Sequence, residues 1–362
     1  MKLIYITNGV NGSGGLERVL SIKASLLADS YDYDVTILTL NEADDVPFYN
    51  FSPKIKFIRM YTNHCNKLEY LIVYRQQIQT AIDNLEPNVI CVCDDGLKAF
   101  TLPSIITTTA KWVYERHVSK LIEDRGTANN VLKKLYVKFK WYLMDKLSNN
   151  FEKFILLTQK NCLEWSNTKN VIVISNPLSF TSNHIADSRN KKVICVGKIS
   201  YQKGQDILVD IWKEIHKTYP DWELHLYGKE DLTVVDTLNL SDNIFFHPPS
   251  KEILEKYLES SIYVMPSRFE GFGMVLIEAM ECGLPCISFN CNYGPSDIIV
   301  NNEDGFLVEN DNTAQFQKRL ELLMGNHDLR LNMGARAKQN VQRYSAANII
   351  ATWDRLFRDL VA

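Results

Sequence analysis

The stretch SRFEGFGMVLIEAMECGLP (267–285) sets two carboxylates, Glu270 and Glu278, around a glycine-rich turn. The run SIYVMPS (261–267) reads as a buried strand that Pro266 and Ser267 end, RFEGFG as a loop, and MVLIEAMEC as a helix beginning near Gly273. In the first turn of that helix the backbone N–H groups of Gly273, Met274 and Val275 have no intrahelical acceptor, and glycine lets a ligand reach the backbone. A helix entry of this kind favours anions, phosphate above all. Glu270 precedes the turn, and Glu278 stands about 6–8 Å along the helix axis from the first of those amides. The separation suits a ligand longer than one phosphate, with hydroxyl groups on either side. Two other readings are a buried strand–helix joint with one capping glutamate, and a glycosidase-like pair of carboxylates across one bond. The succession of strand, glycine loop and helix favours ligand binding.

Phosphate also needs cations, and within this stretch Arg268 stands alone. The segment VGKISYQKGQDIL (196–208) offers Lys198 and Lys203 around a short loop, with Gly204 just before a new helix. Lysines so placed act as mobile point charges for a diphosphate. In the first half, NGVNGSGGLERVLSI (8–22) follows the first strand and opens a helix, but after Gly12 and Gly14 the third position of G-x-G-x-x-G is Glu17. A dehydrogenase is therefore disfavoured. YERHVSK (114–120) sets His117 at the carboxyl end of the strand KWVYE, where open α/β sheets carry ligands; a lone histidine is more often structural. Asp94 and Asp95, after VICVC, sit at another strand end and either bind a substrate or terminate the strand.

These motifs together make the chain resemble the retaining glycosyltransferases of family 4, whose GT-B fold is two facing Rossmann-like domains. The E-x7-E element is matched by Glu270 and Glu278, with EGFGMVLIEAM and CGLPCISF both in family style. The basic pair is matched by Lys198 and Lys203, Lys198 standing where arginine is commoner, which keeps the charge and loses the bidentate fork. FNCNYGPSDIIVNNEDGFLV (289–308) fits as well, with Asp297 where a glutamate is commoner. The resemblance covers essentially the whole chain. It implies that Glu270 holds hydroxyls of a donor sugar, that Glu278 accepts bonds from the nucleotide ribose, and that the Gly273–Val275 backbone and the two lysines carry the diphosphate. It implies further that Gly14 and Gly15 approach the donor phosphate and that His117 lies beside the donor sugar. The implied reaction moves a sugar from a nucleotide sugar to a glycan or lipid-linked acceptor, in cell-surface polysaccharide or lipopolysaccharide assembly. The style of FNCNYGPSDII leans towards UDP-sugars, with GDP-sugars the alternative. No cofactor and no obligatory metal are expected: Asp32-Tyr33-Asp34 spells the D-x-D of metal-dependent glycosyltransferases, but it precedes a strand and reads as a solvated turn. The other functions in view are a nucleotide-sugar epimerase of the same fold and a non-catalytic nucleotide-sugar binding protein.

The elements that must position these residues alternate short β-rich runs with helical patterns, as in parallel sheets covered by helices. LIYIT, DVTILTL, VICVC, KWVYE, FEKFILLT and VIVISN read as strands of the first half; KVICVG, WELHLYG, NIFFHPP, SIYVMPS and LPCISF as those of the second. The expected fold class is α/β, GT-B, with a cleft between two domains. Residues 1–178 plus 345–362 form an acceptor-binding domain and 190–344 a donor-binding domain. The polar segment PLSFTSNHIADSRNKK (177–192) is the linker candidate. The closing helix SAANIIATWDRLFRDLVA (345–362) crosses back to the first domain in the family's fold.

A chain of 362 residues is too long for one ordinary core. A net charge of -3 argues against a nucleic-acid partner. The eight cysteines form no C-x-x-C pair, and Cys91, Cys93 and Cys195 lie in apolar runs, so buried reduced thiols are expected. No signal peptide or membrane span is apparent, which places the protein in the cytoplasm. VLKKLYVKFKWYLMDKL (131–147) is basic and aromatic; it reads either as a helix touching an anionic membrane or as a covering helix with snorkelling lysines.

Overall fold

Continuous runs of β-branched and aromatic residues form strands buried on both faces, and the amphipathic stretches between them form the covering helices. The computed structural model describes residues 1–40, 42, 46–62, 66–120, 131–229, 235 and 240–362. It divides into two compact units, Met1–Pro177 with Ala346–Ala362, and Leu178–Ser345.

In the first unit the order is β1 (Lys2–Ile6), α1 (Gly15–Ser30), β2 (Asp34–Leu40), β3 (Lys56–Met60), α2 (Lys67–Leu85), β4 (Val89–Val92), α3 (Leu97–Ile105), β5 (Lys111–Glu115), α4 (Val131–Ser148), β6 (Lys153–Leu156) and β7 (Val171–Val173). The strands form one parallel sheet in the order β3-β2-β1-β4-β5-β6-β7. The second unit runs β8 (Lys192–Val196), α5 (Gln205–Thr218), β9 (Glu223–Tyr227), β10 (Ile244–His247), α6 (Ile253–Leu258), β11 (Ile262–Met265), α7 (Met274–Glu281), β12 (Cys286–Phe289), α8 (Pro295–Ile298), β13 (Gly305–Val308), α9 (Thr313–Gly325) and α10 (His327–Asn340). Its parallel sheet has the order β10-β9-β8-β11-β12-β13. The chain then returns to the first unit as α11 (Ala346–Val361).

Both sheets are doubly wound, and the strand order reverses between β1 and β4 in one and between β8 and β11 in the other. Ligands of such sheets bind outside the carboxyl ends of the strands at that reversal. Alternation along β1 serves two cores: Ile4 and Ile6 pack with residues of α2 and α3, whereas Leu3 and Tyr5 pack with α1 and with Ile350, Trp353 and Phe357 of α11. The second unit buries Trp212, Leu226, Val264 and Phe316 in a third core.

The structure departs from the sequence reading at two strands and at the linker. β3 and β13 are not among the strands read from the sequence: Lys56 and Arg59 interrupt the apolar pattern of the first, and the second is a run of four residues opened by Gly305. The segment after Pro177 is no free linker. Leu178 and Ala186 are buried, Leu178 N–H donates to the Tyr344 carbonyl, and Ala186 N–H donates to that of Cys282. Its polarity has a local cause: the backbone N–H of Ser182 donates to the buried Glu281 carboxylate at 2.9 Å, and the Lys338 ammonium donates to the Ser182 and His184 carbonyls. Polar side chains there serve buried partners in place of water.

Candidate active site

In the second unit, β11 is buried throughout and delivers the loop of Glu270 to the carboxyl end of the sheet. That loop is fixed on both sides. Glu270 N–H donates to the Asn292 carbonyl at 2.8 Å, and Tyr293 N–H donates to the Glu270 carbonyl at 3.0 Å. The loop after β8 reaches the same place because Gly204, at φ 69°, caps α5 directly against the end of β11; a Cβ there would stand 2.0 Å from the Pro266 carbonyl oxygen. Lys203, next to it, donates from Nζ to both Glu270 oxygens at 2.7 and 2.9 Å, and Ser267 Oγ donates to Oε1 at 2.6 Å. Glu270 is buried and the lysine side chain is 23% exposed. The lysine's ammonium is held on the glutamate, a pairing that sequence spacing does not foretell.

α7 starts at Met274 behind Gly273 (φ 101°), and no side chain caps it, so its first turn keeps a positive end beside this pair. Glu278, in the second turn, is fully buried. Its Oε1 accepts from Ser179 Oγ at 2.6 Å and its Oε2 from Tyr257 hydroxyl at 3.2 Å. Nothing in the sequence signals these two partners, which come from remote segments. Arg268 is committed elsewhere, forked onto Asp206 at 2.7 and 2.8 Å and stacked 3.8 Å over Tyr201. Lys198 is exposed, and among the described residues its ammonium has no partner; its carbonyl accepts from Gln205 Nε2.

In the first unit Gly14 caps α1, and both Gly14 and Gly15 are exposed. A Cβ at Gly15 would meet nothing within 4 Å, whereas one at Gly12 or Gly14 would lie 2.5 Å from the Glu17 carboxylate. The residue that breaks the dinucleotide fingerprint thus folds back over the glycine loop. Burial raises its pKa. Glu42, after β2, accepts from the N–H groups of Val10 and Asn11, both at 2.6 Å, so the loop already wraps a carboxylate of its own. His117 follows β5, its side chain 9% exposed, with Nε2 3.3 Å from Glu115 Oε2.

The two aspartates after β4 have structural partners. Asp94 accepts from Asn8 Nδ2 and from Gly96 N–H at the start of α3, and pairs with Lys98; Asp95 pairs with Arg116. In Asp32-Tyr33-Asp34, Asp34 opens β2 at the amino end of the strands, paired with Lys56, while Tyr33 is buried with its hydroxyl on Asp354. The seven described cysteines are free, and six are buried; burial pushes the Cys195 thiol up to about 12.

The chain matches the family described as Glycosyl transferases group 1 over residues 180–340. It is 32% identical over 372 residues to the amylovoran biosynthesis glycosyltransferase AmsD of Erwinia amylovora, covering 98% of both chains. It is 28% identical over 366 residues to an uncharacterized glycosyltransferase of Haemophilus influenzae, covering 97% of this chain and 98% of the other. Among solved structures, that of a S. aureus TarM mutant in complex with fondaparinux, alpha-GlcNAc-glycerol and UDP superposes with a TM-score of 0.78 at 17% identity, covering 99% of this chain and 100% of that one. The two doubly wound sheets and the returning helix are thus the GT-B fold, and the protein is a glycosyltransferase. Specifically, the chain belongs to the glycosyl transferases group 1 family.

Proposed function

We propose that this protein is a retaining glycosyltransferase of family 4 that moves a sugar from a nucleotide sugar, a UDP-sugar in the first instance, to a glycan or lipid-linked acceptor. The observation that carries the reading is the Lys203–Glu270–Ser267 group beside the uncapped start of α7. A cation, a buried carboxylate and free helix amides at one strand end suit a ligand that carries both diphosphate and hydroxyls. In this assignment Lys203, Lys198 and the backbone of Gly273, Met274 and Val275 take the diphosphate. Charge that grows on the leaving phosphate is met by groups already in place. Glu270 turns to the donor sugar's hydroxyls. Glu278, held by Ser179 and Tyr257, takes the ribose. Gly15, open above its backbone, and Gly14 serve the donor phosphate, and His117 the donor sugar. No metal is assigned a part: the departing phosphate oxygen takes the acceptor's proton, on the face from which the nucleotide leaves.

The neighbour bound to UDP supports a UDP-sugar, and the relative named for amylovoran biosynthesis supports a role in cell-surface polysaccharide or lipopolysaccharide assembly. Among the described residues no helix is long and apolar enough to cross a membrane. α4 nonetheless exposes Leu132, Leu135, Tyr136, Phe139 and Tyr142 alongside Lys133, Lys134 and Lys138, which suits peripheral contact with anionic lipid. A thermal-shift screen of UDP, GDP and their sugars tests the donor. A ligand at about 100 times its Kd stabilises by roughly 2.7 kcal/mol, so the UDP series should raise Tm by several degrees. No shift with any nucleotide would overturn the assignment.

A further inference from the structure

The carboxyl end of β5 holds a buried ionic chain that the donor-site assignment leaves unexplained. Lys23 of α1 and Glu115 of β5 form an ion pair in which both side chains are almost wholly buried, 1% and 2% exposed. The Lys23 ammonium also lies 4.1 Å from the centre of the Trp353 ring and 4.9 Å from that of Tyr5. Buried ion pairs add little net stability, because lost hydration offsets the attraction. One placed next to a candidate site residue invites a functional explanation. The Glu115 oxygen that meets Lys23 is the same Oε2 that faces His117 Nε2.

Cys93, Glu115 and His117 offer ligand atoms within 4.8 Å of one another, the makings of a soft-metal site. The ammonium of Lys23 already supplies the cation there. Burial also keeps the Cys91 and Cys93 thiols protonated, with Glu115 acting in the same direction. The cluster is better explained as a device for holding a proton in one place.

We propose that Lys23 and Glu115 are a positioning pair: Lys23 holds the Glu115 carboxylate in place, Glu115 accepts the hydrogen on His117 Nε2, and Nδ1 is the nitrogen left to meet a substrate hydroxyl. The proposal rests on the reading of His117 as a neighbour of the donor sugar. The titratable groups around Glu115 and His117 are Lys23 and Glu17 from α1, Cys91 and Cys93 from the β4 arm, and Tyr5 from β1. Of these, Lys23 alone brings a fixed positive charge. Burial by itself would raise the Glu115 pKa, but Lys23 and His117 hold it at about 2.

The test reads the two imidazole nitrogens of His117 by long-range 1H–15N NMR in the substrate-free protein. Wild type should show the neutral ring protonated on Nε2. Glu115→Gln should shift that preference. Since this variant leaves Lys23 buried without a counter-charge, the double variant Lys23→Met/Glu115→Gln restores neutrality and guards against simple misfolding. A folded double variant whose His117 signals match wild type overturns the proposal. The kinetic arm is release of UDP from UDP-glucose, UDP-galactose and UDP-GlcNAc. Both variants should lose about tenfold in kcat/KM, the weight of one misdirected hydrogen bond, with an altered pH profile. A loss equal at every pH with unchanged ring signals marks a merely structural pair and also overturns it. Silence of wild type with all three sugars counts against the donor reading, while the nitrogen signals still decide the proposal. His117→Ala with full activity also overturns the proposal, since no nitrogen of that ring then meets a substrate hydroxyl.

Discussion

Lys203 and Glu270 show how two residues of opposite charge can serve one anionic ligand. Their mutual bond keeps each oriented, with Ser267 taking part of the carboxylate's remaining capacity. Under the proposed function Lys203→Ala should lower turnover by about 100–1,000-fold, as when one preorganised partner of a developing charge is removed. Circular dichroism should stay native, and near-normal transfer would sink the assignment. A second residue-level expectation concerns acid. Glu115 is held at about 2, below its ordinary 4.5, so its ionised form stabilises the fold. That contribution is complete above about pH 4.5 and is lost as pH falls towards 2. The Tm gap between wild type and Glu115→Gln should accordingly be widest near neutrality and close on acidification through that range. A gap constant down to pH 3 would contradict it. Glu270 and Glu278 were legible in the sequence because strand, glycine loop and helix are local patterns. Ser179 and Tyr257 were not, because no local pattern records which distant hydroxyl a buried carboxylate meets.

Among the elements, α4 sets outward apolar side chains beside lysines, whereas only Val137, Met144 and Ser148 are buried along it. A covering helix buries its apolar stripe, so so many exposed large side chains on one helix favour a surface role. Replacing Leu135 and Phe139 by glutamate removes apolar area and adds repulsion from anionic lipid. The double variant should lose most of its cosedimentation with phosphatidylglycerol vesicles while keeping its Tm within about 2 °C, in keeping with the small effect of surface substitutions. Unchanged cosedimentation would refute lipid contact through this helix. The strands were readable wherever both faces are buried, as in β1, β5 and β11, since an unbroken apolar run is then required. β3 escaped because Lys56 and Arg59 break its apolar pattern, and β13 because it is a run of only four residues opened by Gly305.

At the scale of the whole molecule, the last helix belongs to the first unit although the second unit separates the two in sequence. Trp353 of α11, buried and lying over Lys23, closes one side of the ionic chain that reaches His117. Trp353→Ala should destabilise the first unit by about 3–5 kcal/mol in chemical denaturation, the usual weight of a buried tryptophan. A loss below about 1 kcal/mol would show that α11 is only loosely docked. The sequence by itself determined the α/β class, the two halves with the same alternation, and the residue types at each strand end. Periodicity, glycine placement and charge are local properties that folding preserves. Only the tertiary structure decided that Lys203 rests on Glu270, that the polar stretch after Pro177 belongs to the second unit, and that Lys23 meets Glu115. Each of these joins residues far apart along the chain, and their contact follows from strand order and helix packing, which single-segment patterns do not encode.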